Sequence, residues 1–185
     1  MKIDEIKSLV DRWNLMLDKG GRLLARLRKA PPEEVLETIR SNKADIIAYL
    51  KAEKEKKEAA EKAANELYRK REAAFHAIPG VNEILDVRKK IADDQEAFER
   101  AWRSGSGIYP KKSGVTTSDL KALEEKYPVA KFAIEVSGYI NRANSEIYAM
   151  EKRAYEALCD GVPFEEVKAA YEQEDKDFVM RHAWD

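Results

Sequence analysis

The side chains able to do chemistry are few and poorly grouped. Lys111, Lys112 and Ser113 lie near Gly105, Gly107 and Gly114, the ingredients of a loop that cradles phosphate. Such a loop needs glycine directly before its lysine and a strand feeding it. Here Pro110 precedes Lys111 and no strand-like run leads in. His76 and His182 stand far apart and fit neither an HxxxH nor a CxxC spacing, so they do not read as metal ligands. Cys159, beside Leu158 on a helical pattern, has no base near it in sequence and reads as a small buried residue, not a nucleophile. Asp93 and Asp94, or Glu124 and Glu125, are of the right type for acid–base work or metal binding. Charged helices carry such pairs routinely. No base, nucleophile and ligand set is assembled, so the expectation is a non-enzyme with no cofactor and no metal.

Two charge asymmetries and one loop are left as binding candidates. Arg22, Arg26 and Lys29 fall at i, i+4 and i+7, with Arg28 at the edge. A helical RLLARLRK would gather them on one face, fit for phosphate or an acidic protein surface. An ordinary amphipathic helix, with Leu23, Leu24 and Leu27 inward and the cations wet, looks the same, and the segment also reads as a short strand. From Asp160 to Asp185 there are eight acids against three bases. Among them Glu172, Glu174, Asp175 and Asp177 would face a basic partner groove that also attracts nucleic acid, although a soluble surface helix would carry them too. Lys111 and Lys112 are the third candidate.

Composition bounds the rest. The chain has 185 residues, 34 basic and 35 acidic side chains and a formal charge of −1, so overall charge marks neither a nucleic-acid binder nor a bulk mimic of one. Charged residues make up 37%, with only eight glycines and six prolines, which favours long solvated helices. A single cysteine fits a reducing compartment. MKIDEIKSLV lacks the apolar run of a signal peptide, and no segment approaches the ~20 apolar residues of a membrane span. A cytoplasmic protein without membrane association is expected.

These candidates must be positioned by helices. Ile3, Ile6, Leu9, Val10, Trp13 and Leu17 predict a first helix ended by Gly20 and Gly21. Pro31 and Pro32 followed by Glu33 and Glu34 open a second, and SNKADIIAYL, capped at Ser41 or Asn42, starts a long third one whose apolar stripe thins beyond Lys51. FHAIPGVNEI interrupts it: Pro79 removes an amide donor and Gly80 supplies a turn. The returning helix carries Val81, Ile84, Leu85, Ile91, Phe98 and Trp102 on one side, which predicts an antiparallel hairpin with Phe75 and Ile78 packed at its closed end. Arg103 to Leu120 is irregular and holds three of the glycines. Thr117 or Ser118 is expected to cap the next helix. Val136, Ile140, Ala143, Ile147, Met150, Ala154 and Ala157 then alternate steps of four and three, the spacing of a coiled-coil seam. Gly161 and Pro163 separate it from the last helix. The expected fold is all-α: a helical bundle with a long antiparallel hairpin and a C-terminal helical unit, divided as 1–50, 51–103, 104–118 and 119–185.

IRSNKADIIAYLKAEK, AIPGVNEI, LEEKYPVAKF and the closing DGVPFEEVKAAYEQEDKDFVMRHAWD occur, from about Ile39 onward, in an order that resembles a family of small phage and prophage accessory proteins of gut Firmicutes. The N-terminal part, closing on KADIIAYL, is similar to the docking module at the start of some megasynthase subunits, with that family's hairpin shortened or missing around Gly20 to Pro32. The first resemblance implies a mobile-element setting, in which small helical proteins bind and disable host machines.

Three readings follow. The first is a phage-encoded anti-CRISPR protein that binds a Cas9–guide RNA complex, blocking its DNA channel or holding it inactive. The second is a structural or docking module that joins other proteins. The third is a DNA-binding accessory protein using Arg22, Arg26, Arg28 and Lys29, whose affinity would fall steeply with salt.

Overall fold

A computed structural model describes residues 1–25, 31–105 and 107–183. The protein is all-α: eight α-helices, one 3-10 turn and one two-stranded hairpin are present among the described residues. It divides into two units, Met1–Glu66 and Leu67–Asp185. The boundary falls inside the long third helix, and not at the divisions expected from the sequence.

In the first unit, α1 (Ile3–Arg12) starts with Glu5 accepting a hydrogen bond from the Lys2 amide at 2.9 Å, and it buries Ile6 and Val10. The helix does not run on to Gly20. Asn14 adopts a positive φ of 42°, a conformation asparagine tolerates better than most residues, and the chain turns into strand β1 (Leu15–Leu17). Asp18 then organises a tight reversal: one of its carboxylate oxygens accepts from the amides of Gly20 and Arg22, each at 2.8 Å. Strand β2 (Leu23–Ala25) returns antiparallel, pairing Leu15 with Ala25, Met16 with Leu24 and Leu17 with Leu23. RLLARLRK therefore opens as a strand.

Helices α2 (Glu33–Ser41) and α3 (Lys43–Ala77) follow. Pro32 precedes the first turn of α2, whose acids Glu33 and Glu34 suit the helix dipole. Ile6, Val10, Leu15 and Ile46 form the core of this unit, with Trp13, Leu23, Ile39 and Tyr49 packed around it. Beyond that core, every α3 residue from Lys51 to Lys70 is exposed, as the thinning apolar stripe requires.

The second unit opens with the end of α3 and α4 (Val81–Ser104). The break falls at Pro79 and Gly80, and Phe75, Val81 and Ile84 share one core with Ala130, Ala133 and Ile134. Full burial of a Val or Ile side chain is worth about 1.5–3 kcal/mol, so this corner is a main anchor. The expected hairpin arm stops there. α4 packs instead on α5 (Thr117–Lys126) and α6 (Pro128–Ser137), so Phe98 and Trp102, expected on a packed side, are exposed. α5 is capped by Thr116, one residue before the expected cap, through a reciprocal pairing with Asp119.

The coiled-coil seam does not form as one helix. α6 ends at Ser137, a 3-10 turn spans Gly138–Asn141, and Asn144 caps a new helix, α7 (Ser145–Cys159). Val136 and Ala154 nevertheless meet, because α6 and α7 pack on each other, and both join Val167 of α8 (Phe164–His182) in a second core. Gly161, at a φ of 89°, and Pro163 make the turn into α8.

Candidate functional site

The hairpin of the first unit is a small platform. The two-residue period of a strand sends alternate side chains to opposite faces. Leu15 therefore enters the core, while Met16 and its cross-strand partner Leu24 point outward, 38% and 49% exposed. Among the described residues each strand is paired on one side only, and an unpaired edge is the kind of template to which a strand can be added. A sequence signal for this was present: an apolar stretch, then Asp18, Lys19, Gly20 and Gly21, then another apolar stretch is as good a hairpin pattern as a helix end. Arg22 is exposed immediately before β2. A helical face joining it to Arg26 and Lys29 does not form through Leu23–Ala25, and Arg26, Arg28 and Lys29 lie outside the described residues.

The four acids on α8 do not make one surface. At 3.6 residues per turn, Glu172 and Asp175 share one flank of the helix, while Glu174 and Asp177 share the other, which lines a cleft beside Arg153 of α7. Glu174 pairs with Arg153, Glu172 with Lys168 at 3.8 Å, and Asp177 accepts from Gln173 at 2.9 Å. Of the four, Glu174 thus faces a cation from another helix, while Asp177 keeps its charge beside a neutral amide.

Lys111 and Lys112 are exposed on the segment after α4. That segment is strapped to the helix: Ser113 donates to Asp94 from its amide, at 2.9 and 3.0 Å to the two oxygens, and from its hydroxyl at 2.7 Å. The hydroxyl and then the amide hold the Asp94 carboxyl below its usual pKa. Tyr109 stacks on Phe98, centroids 5.1 Å apart at 19°. With Trp102 at 69% and Ile108 at 78% exposure, they form an apolar patch of the kind that marks interaction surfaces.

The remaining polar clusters hold the second unit together. Arg71 donates to both oxygens of Asp160, at 3.0 and 2.7 Å, and also pairs with Glu156. The Asp160 hydrogen bond is the main cause of its raised pKa. Arg142 grips the buried Glu151 at 2.9–3.1 Å. Cys159 is half-buried, and burial pushes its thiol up, away from thiolate character. His76 donates from Nδ1 to the side-chain carbonyl of Asn82 at 2.7 Å, and Asn82 donates back to the His76 carbonyl at 3.0 Å. Among the described residues no group of three His, Cys, Asp or Glu side chains is placed to hold a metal ion, and no helix is long and apolar enough to cross a membrane.

Compared with protein-family models, curated proteins and solved structures, the chain matches none of them.

Proposed function

We propose that this chain is a non-catalytic adaptor that binds another protein, and that its N-terminal unit docks through the outer face and open edges of the β1–β2 hairpin. The observation that carries this reading is the exposed Met16–Leu24 pair on a sheet that has two strands among the described residues. An extended partner segment adds hydrogen bonds along such an edge, and alternate side chains give it specificity. The N-terminal resemblance to a docking module supports the same reading. Affinity capture from host extract tests it. Wild-type chain should retain a discrete partner that a Met16→Asp, Leu24→Asp variant of unchanged helicity does not. Equal retention by both would remove the hairpin from the proposal.

A second reading has its own observation. The exposed Phe98, Trp102 and Tyr109 are residue types that dominate binding energy at protein interfaces, and the resemblance to phage accessory proteins names the partner class as a host defence nuclease of the Cas9 type. Inhibition would then come from blocking DNA binding or cleavage by the effector. Adding the chain to a guide-loaded nuclease decides between the two: near-stoichiometric loss of cleavage, relieved by Trp102→Ala, supports inhibition, whereas unchanged cleavage supports the adaptor alone.

A further inference from the structure

Residues 107–115 lead from α4 to α5 without helix or strand. Ser113 ties them to α4 by giving both its amide and its hydroxyl to the carboxylate of Asp94, and Tyr109 stacks on Phe98. Burial adds little to this hold. Every residue from Gly107 to Gly114 is exposed and Val115 is half-buried, so the apolar area removed from water is small. Beneath the segment an open groove of about 450 Å³ remains, with Ile91, Phe98 and Val115 among its walls, and side chains that face such a gap forgo dispersion contacts. The ends are built to turn. Gly107 sits at a φ of 65° and Gly114 at 84°, and glycine moves among backbone conformations closed to other residues, while Thr116, just beyond, is locked in its reciprocal cap with Asp119.

We propose that residues 107–115 are a strap over α4 with a latched and a released state, and that the Ser113–Asp94 pairing is the latch. Segments with few buried contacts open at the low end of a protein's stability range. Hydrogen bonds to an ionised acceptor are the stronger kind, and here they converge on one carboxylate, so a single residue of α4 sets the balance between the two states. Release lifts Tyr109 from Phe98 and opens the groove along Ile91 and Val115. The latch thereby governs how much of the apolar side of α4 is accessible. This device is separate from the β1–β2 hairpin and depends on neither reading of the protein's function.

Limited proteolysis of the full chain with trypsin tests it, because Lys111 lies on the strap. Trypsin cuts only where the chain can leave the protein surface and extend in the protease cleft, so the rate of cleavage after Lys111 follows the population of the released state. Asp94→Ala should raise that rate about tenfold or more. Ser113→Ala, which keeps the carboxylate and so separates loss of the latch from loss of a charge near the cut, should raise it by less, and Ser113→Thr, which keeps the hydroxyl, should stay close to the wild-type rate. Cleavage after Lys57, on the exposed part of α3, serves as the reference and should not change. In Asp94→Ala the ring-proton shifts of Tyr109 should also move to those of an unstacked tyrosine. Equal cleavage after Lys111 in wild type and both alanine variants, a rise after Lys57 as large as that after Lys111, or a Tyr109 ring that stays stacked in Asp94→Ala would each overturn the proposal.

Discussion

Arg71 shows how much of the second unit depends on one side chain. It joins the end of α3 to Glu156 and Asp160 of the α7 end while itself only 18% exposed, and charge-assisted hydrogen bonds of this kind are the strong ones. Arg71→Ala should therefore cost about 1–2 kcal/mol, read by denaturant unfolding. The Arg71 hydrogen bonds hold the Asp160 carboxyl below its ordinary range. A depressed folded-state pKa stabilises fully above the unfolded value of about 4 and is lost as pH falls through the folded value. Asp160→Asn should lower stability at neutral pH and flatten the acid limb of the stability profile; an unchanged acid limb would remove the pair from that role. Arg142 offers a contrast. Its partner Glu151 is buried, whereas the partners Arg153 and Glu174 are both well exposed. Removing Arg142 leaves a buried carboxylate without its cation, so Arg142→Ala should lower the melting temperature more than Arg153→Ala.

At the scale of elements, the corner between α3 and α4 is set by Gly80. Its φ is 91°, and a Cβ there would lie 2.2 Å from the ring of Tyr127. Gly80→Ala should cost about 2–4 kcal/mol from backbone strain and overlap together, while Pro79→Ala, outside either helix, should cost under about 1 kcal/mol. Equal effects in equilibrium unfolding would contradict this division. The corner was legible in the sequence because a proline, a glycine and the apolar residues beside them act locally. The hairpin was less so: Gly20 and Gly21 serve a helix end and a strand turn equally, and Asp18 decides between them only through hydrogen bonds that close the reversal. The seam from Val136 to Ala157 keeps its apolar spacing although the helix breaks at Gly138–Asn141, since two helices packed together satisfy the same pattern as one. Phe98 and Trp102 have core-like spacing, and only the tertiary course of α5 and α6 leaves them in water. The strap from Ser113 to Asp94, and with it the groove, joins residues far apart in sequence and has no local signature. On α8 the acids were legible as residues, but their division between two flanks and their pairing with Arg153 and Lys168 were not.

At the scale of the whole molecule, the boundary between the two units falls within α3, whose residues from Lys51 to Ala64 are exposed on every side. Helical stability without tertiary contacts is marginal, so hydrogen exchange at Glu55–Ala64 should be far faster than at Ala130–Val136, which lie in the buried cores. Similar protection in both stretches would mean that something covers the bare helix. An adaptor reading needs the first unit to present its hairpin to a partner in the cell, and position-resolved photo-crosslinking measures that most directly. A photoreactive residue placed at Met16 or at Leu24 should give one discrete adduct of the same partner from both positions, and none from Lys57 on the bare helix. Adducts of equal pattern from all three positions, or none from the hairpin, would contradict docking through the β1–β2 face.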